Sequence, residues 1–94
     1  MHILRIEHPV PTFEGWKKAF DSDPLKREES GVRRYRIYRP AGDPNHVGVD
    51  LEFDTARDAE AMLGRLQELW KGVQGKVMND PHAKLIEVIE SRQY

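Results

Sequence analysis

Four histidines, two tryptophans and two carboxylates at strand spacing are the residues whose types and positions could do chemistry in this chain. His8 closes a strand-like run, residues 2–8 "HILRIEH", and shares a face with Leu4 and Ile6. A histidine held at the mouth of an apolar pocket titrates near neutrality and suits a general base. The plainer reading is a strand-end histidine bonded to its own loop. His2 shares that face but lies beside the first residue. Trp16 and Trp70 stand at helical spacing from other apolar residues. They either fill a core or line a pocket for a planar molecule, with Phe20, Tyr35 and Met62 as neighbours. An enclosed apolar cleft carrying one histidine could take a proton from an acidic phenol or β-diketone.

Other chemistry finds less support. The chain has no cysteine, which removes thiol nucleophiles, disulfides and Cys-ligated metal together. His46 and His82 fall in the turn-like stretches "DPNH" and "NDPH". No two histidines share a helix at four-residue spacing, so no metal is expected. No histidine is singled out for haem iron, and no glycine-rich nucleotide loop is present, so no cofactor is expected either. Asp50 and Glu52 lie on one strand face about 7 Å apart by strand rise. That spacing permits a glycosidase pair, but sugar-stacking aromatics are missing around it. Arg33, Arg34, Arg36 and Arg39 with Tyr35 and Tyr38 invite an RNA reading. A net charge of −1 and acids on the strand face argue against it, so nucleic acid is not an expected partner.

The elements that must position these residues are legible. Residues 2–8 alternate as a strand, and Pro9 and Pro11 end it. Thr12 caps a helix over residues 13–22, with Phe13, Trp16 and Phe20 on one stripe. Asp23-Pro24 opens a short second helix, "PLKREES", and Gly31 stops it. Strands follow at about 32–39 and 47–54, joined by a loop of turn formers. Thr55 and Asp58 make a capping-box start to a long helix. Its stripe is Ala59, Met62, Leu63, Leu66, Leu69, Trp70 and Val73, and Gly72 and Gly75 weaken its end. After the "NDPH" loop, residues 83–90 form a last strand. The order is that of an α+β, ferredoxin-like βαββαβ plait. It has a four-stranded antiparallel sheet in the order 4-1-3-2 with helices on one face, in a single domain spanning 1–94. No apolar run suits a signal peptide or a membrane span, so the cytoplasm is the expected compartment.

The stretch 33–54 shows what a charged sheet face can do. If Tyr35 and Ile37 share the helix side with Leu51 and Val49, Arg34 lies opposite Glu52 and Arg36 opposite Asp50. A one-residue slip would drive both arginines into the core. Ile3 and Arg5 belong on the same outer face, as do Leu85 and Ile89 if Ile86 and Val88 point to the helices. A small core and an outer face mixing balanced charge with aliphatics suit packing against a second copy. The expected interface is Ile3, Arg5, Arg34, Arg36, Asp50, Glu52, Leu85 and Ile89.

With the helix "FEGWKKAF" after the first strand, the stretch "HVGVDLEFDTARDAEAMLGRL" and the closing strand "AKLIEVIE", nearly the whole chain resembles the dimeric α+β barrel superfamily. This group includes antibiotic-biosynthesis-monooxygenase-like proteins, stress-responsive dimeric barrels and small polyketide cyclases. The resemblance implies a homodimer joined through its sheets and a pocket between sheet and helices. Members of the group include cofactor-free oxygenases, cyclases, isomerases, haem enzymes and proteins of no known activity, and the first expectation here is a cofactor-independent monooxygenase- or cyclase-like enzyme acting on an aromatic or polyketide-like molecule. His8 is then the candidate base, and Trp16, Phe20, Tyr35, Met62 and Trp70 contact substrate. The alternative is a non-catalytic ligand-binding or interaction module that works as a homodimer.

Overall fold

The computed structural model describes residues 1–73 and 81–94. The elements run β1 (His2–Pro9), α1 (Phe13–Asp21), β2 (Val32–Tyr38), β3 (His46–Phe53), α2 (Ala56–Val73) and β4 (His82–Glu87). The strands form one antiparallel sheet in the order β2-β3-β1-β4, the expected 4-1-3-2 plait. Both helices start where hydroxyl caps stand. Thr12 Oγ1 accepts from the Gly15 amide at 3.1 Å, and Thr55 Oγ1 accepts from the Asp58 amide at 3.2 Å. Each bond satisfies a first-turn amide that has no partner within its helix.

The core lies on one side of the sheet. Leu4 and Ile6 of β1 meet Val47, Val49, Leu51 and Phe53 of β3, the alternation that period-two geometry requires. Trp16 of α1 and Ala59, Met62 and Trp70 of α2 close over them. On the opposite face, Arg34 stands across from Glu52 and Arg36 from Asp50, in the expected register. A bulge between Val32 and Arg34 ends the regular pairing, so Val32 returns to the core opposite Phe53.

Three expectations need correction. The second helix after α1 does not form, and residues 22–31 make successive turns instead. Asp23 and Lys26 adopt left-handed backbone angles (φ 52° and 50°), which no continuous right-handed helix can contain. Leu85 is not on the outer face. It pairs with Leu4 and therefore points to the helix side, while Ile86 takes the outer position opposite Ile3. The segment Leu85-Ile86 is apolar at both parities, so alternation alone cannot choose its face. Ile89 lies beyond the end of β4 and is 94% exposed. The glycine break at Gly75 and the Asn79–Asp80 part of the predicted loop lie outside the described residues.

Candidate functional site

Between sheet and helices lies a cavity of about 270 Å³. Its floor is Ile6, His8, Val49 and Leu51 of the sheet. Trp16, Ala19 and Phe20 of α1 form one wall, and Met62, Leu66, Leu69 and Trp70 of α2 form the other. The turns after α1 supply the rim, through Ser22, Asp23, Leu25 and Arg27. The volume is close to the low end of ligand pockets, roughly 300–1,000 Å³. Flat lining rings and a mostly apolar surface suit a small aromatic molecule.

His8 is the polar group of the floor, only 1% exposed. Its Nδ1 lies 3.1 Å from the Pro9 carbonyl oxygen, so Nδ1 carries the proton and donates. Nε2 is left with the lone pair. Burial pushes the His8 pKa below the ordinary 6.5, outweighing the bond to Pro9, and the nearby His46 adds to the fall. His8 is thus a neutral imidazole near pH 7, in the state a base requires. Its ring lies 6.0 Å from that of Trp16, and Trp16 stacks on Phe20 at 5.0 Å. One continuous aromatic wall therefore leads from the histidine to the rim.

Of the predicted contact residues, Trp16, Phe20, Met62 and Trp70 come together with His8 around this cavity. Tyr35 does not. It sits on the edge strand β2, 45% exposed, and meets Phe20 edge to face from outside at 5.0 Å. Phe20 forms the wall in its place. His2 lies six strand residues from His8, about 20 Å away by strand rise, and cannot act with it. His82 pairs with Glu7 and so falls on the outer face. Among the described residues, no group of three or more His, Asp or Glu side chains could hold a metal ion.

The rim residues Asp23 and Arg27 were not legible as site residues. The local pattern reads as a helix, and nothing in "DPLKRE" marks the left-handed turns that carry Arg27 back over Phe20. Leu66 and Leu69 were visible, but only as members of an apolar stripe.

The outer face is built from ion pairs within one chain. Arg34 Nε and Nη2 donate to both oxygens of Glu52 at 2.7 and 3.0 Å. Asp50, however, does not pair with Arg36 across the hairpin. Arg5 of β1 reaches it from the other side through two bonds of 2.9 Å, and the Tyr38 hydroxyl donates a third at 2.9 Å. Asp50 and Glu52 are 4% and 6% exposed, covered by the side chains that bind them. Burial pushes the Asp50 carboxyl up, but the Arg5 and Tyr38 bonds prevail and hold it below the ordinary range. The Arg34 bond holds Glu52 low in the same way. Among the described residues, Arg36 makes no ion pair.

No family model matches the sequence, and no curated protein matches it. Solved structures do match. SnoaB, a cofactor-independent oxygenase from Streptomyces nogalater, is 10% identical, with 96% of this chain and 94% of that chain covered at a TM-score of 0.74. An antibiotic biosynthesis monooxygenase is 11% identical over 96% of this chain and 100% of its own, with a TM-score of 0.67. A dimeric ferredoxin-like protein from an uncultured marine organism is 9% identical, with 97% of each chain covered and a TM-score of 0.66. At such identities the likeness is one of fold. This chain has the ferredoxin-like fold of antibiotic-biosynthesis-monooxygenase-like proteins.

Proposed function

We propose that the protein is a cofactor-independent monooxygenase- or cyclase-like enzyme, with His8 as general base in the helix-side cavity. The observation that carries this reading is His8 itself. It is a buried, neutral imidazole anchored through Nδ1, and it lines an apolar aromatic cavity. In the shared first step, Nε2 takes a proton from an acidic C–H or O–H of a flat substrate, leaving an enolate beside an imidazolium. The two charges form together in a low-dielectric site, where their attraction is strong. In a cyclase, the enolate carbon then attacks a carbonyl carbon of the same molecule, and the new alkoxide takes the proton back. In a monooxygenase, the carbanion adds dioxygen and receives that proton as a hydroperoxide. Loss of water then leaves a carbonyl, so one oxygen atom enters the product and the other leaves as water.

The working form in this reading is a homodimer joined through the outer sheet face. Ile3 and Ile86 bring apolar surface to that face, and Arg36 brings a charge that makes no ion pair among the described residues. The dimeric state of a protein with the same fold supports it.

Proton exchange tests the catalytic reading without assuming an oxidant. The C1 protons of 2-tetralone, a bicyclic ketone, are followed by NMR in D2O. The protein should accelerate exchange, and His8→Ala should remove about 100-fold or more of that acceleration. Equal acceleration by both proteins would dismiss His8 as the base. Binding of 2-tetralone with no acceleration would favour the ligand-binding module.

A further inference from the structure

The aromatic wall ends in a cation. Arg27 lines the cavity at the rim, and its Cζ stands 3.8 Å above the centre of the Phe20 ring. Nη1 donates to the Phe20 carbonyl at 2.8 Å, which fixes the plane of the guanidinium. Among the described residues, Nε and Nη2 have no hydrogen-bond partner. The side chain is only 18% exposed. A fork of donors held at one nitrogen, mostly out of water and stacked on a ring of the cavity wall, can bind a carboxylate.

Asp23 also lines the rim, with Oδ1 3.4 Å from Nη1 of Arg27. It pairs with the cation through Nη1 alone. Its Oδ1 accepts the backbone N–H of Arg27 at 3.0 Å, and its side chain is 41% exposed. Water screens its charge more than that of the buried partner. His8, Asp23 and Arg27 are the ionisable residues lining the cavity among those described, and His8 is neutral. The rings therefore run in order from the base at His8 through Trp16 and Phe20 to the cation at Arg27.

We infer that Arg27 is a specificity-determining residue, and that the cavity takes a small flat aromatic acid whose carboxylate meets Arg27 at the rim. This rests on the reading of the cavity as a ligand site. A flat body along the Trp16–Phe20 wall then places the end far from the carboxylate toward His8.

The test is isothermal calorimetry with three congeners of one ring system: 2-naphthoate, 2-naphthamide and 2-naphthylmethylammonium. The unmodified protein should bind the carboxylate about ten-fold tighter than the amide, as one charge-assisted contact gives. Arg27→Gln should abolish that preference while the amide still binds, which shows that the cavity is intact. Arg27→Lys should restore part of it. Equal affinity for carboxylate and amide overturns the inference and leaves the cavity reading standing. Tighter binding of the ammonium also overturns it and hands the rim to Asp23. If none of the three binds, the cavity reading falls and takes this inference with it. A carboxylate preference without any 2-tetralone exchange would uphold Arg27 in a binding protein.

Discussion

The ring of Tyr38 lies across Gly48, its partner on the neighbouring strand, and its hydroxyl reaches beyond to Asp50 at 2.9 Å. A Cβ at Gly48 would stand 2.7 Å from Cζ of that ring, so only glycine lets the ring lie flat. An aromatic side chain covering a strand glycine restores the packing that the missing side chain forfeits. The same contact shields one side of Asp50 from water.

Gly48→Ala is therefore expected to cost about 1–3 kcal/mol, the range for overpacking a filled site. Tyr38→Phe keeps the ring and loses one hydrogen bond, about 0.5–1.5 kcal/mol. Urea denaturation of the two single variants and the double variant checks this. Strict additivity would mean that the ring does not depend on Gly48. Burial and the bond to Asp50 also push the Tyr38 phenol up to about 12. An ultraviolet titration of Tyr38→Phe should lack the latest phenol transition of the parent.

His8 sets a pH dependence of stability. Its folded pKa lies below the ordinary 6.5, so the unfolded chain binds the proton more readily. The stability it contributes is whole above about pH 6.5 and is lost as the pH falls through the folded value. His8→Leu should flatten that window in a plot of urea midpoint against pH. A parallel curve for the variant would remove His8 as its source. The carboxylates act in a lower window. Asp50 and Glu52 are held below 3.8 and 4.5, so their contribution is lost only as the pH falls past those values. Comparing the acid titrations of the parent and of His8→Leu should tell the histidine's share of the loss from that of the carboxylates.

The two arginines closest to Asp50 should behave differently when replaced. Arg5 is bonded twice to this buried carboxylate, and Arg5→Ala should lower stability by about 1–2 kcal/mol, discounted for the exposed side of the pair. Arg36 makes no ion pair among the described residues, but Arg36→Glu sets an acid across from the buried Asp50 and should lower stability by about 0.2–1 kcal/mol. It should also loosen the proposed dimer. Sedimentation velocity over a concentration series reads that directly. An unchanged dimer in Arg36→Glu would place the interface elsewhere.

Much of this molecule is written along one dimension. Val47, Val49, Leu51 and Phe53 alternate without a break, so β3 can turn only one face to the helices. That parity carries the hairpin register with it and brings Arg34 to Glu52. The hydroxyl caps at Thr12 and Thr55 are equally local, because a cap and its amide lie three residues apart. The grouping of His8, Trp16, Phe20, Met62 and Trp70 follows from these patterns, since each stands on the buried side of its element.

Other features depend on distances between segments remote in sequence. Leu85 and Ile86 are both apolar, and only pairing with Leu4 and Ile3 decides which faces the core. Asp50 has arginines on both neighbouring strands, and the choice of Arg5 follows from side-chain reach across the sheet. Arg27 joins the cavity because two left-handed residues turn the chain back over Phe20. Local propensity favours a helix there, and packing at the cavity rim overrides it. Periodicity can assign a side chain to a face, but whether two faces meet tightly or enclose a cavity depends on the volumes of every side chain between them.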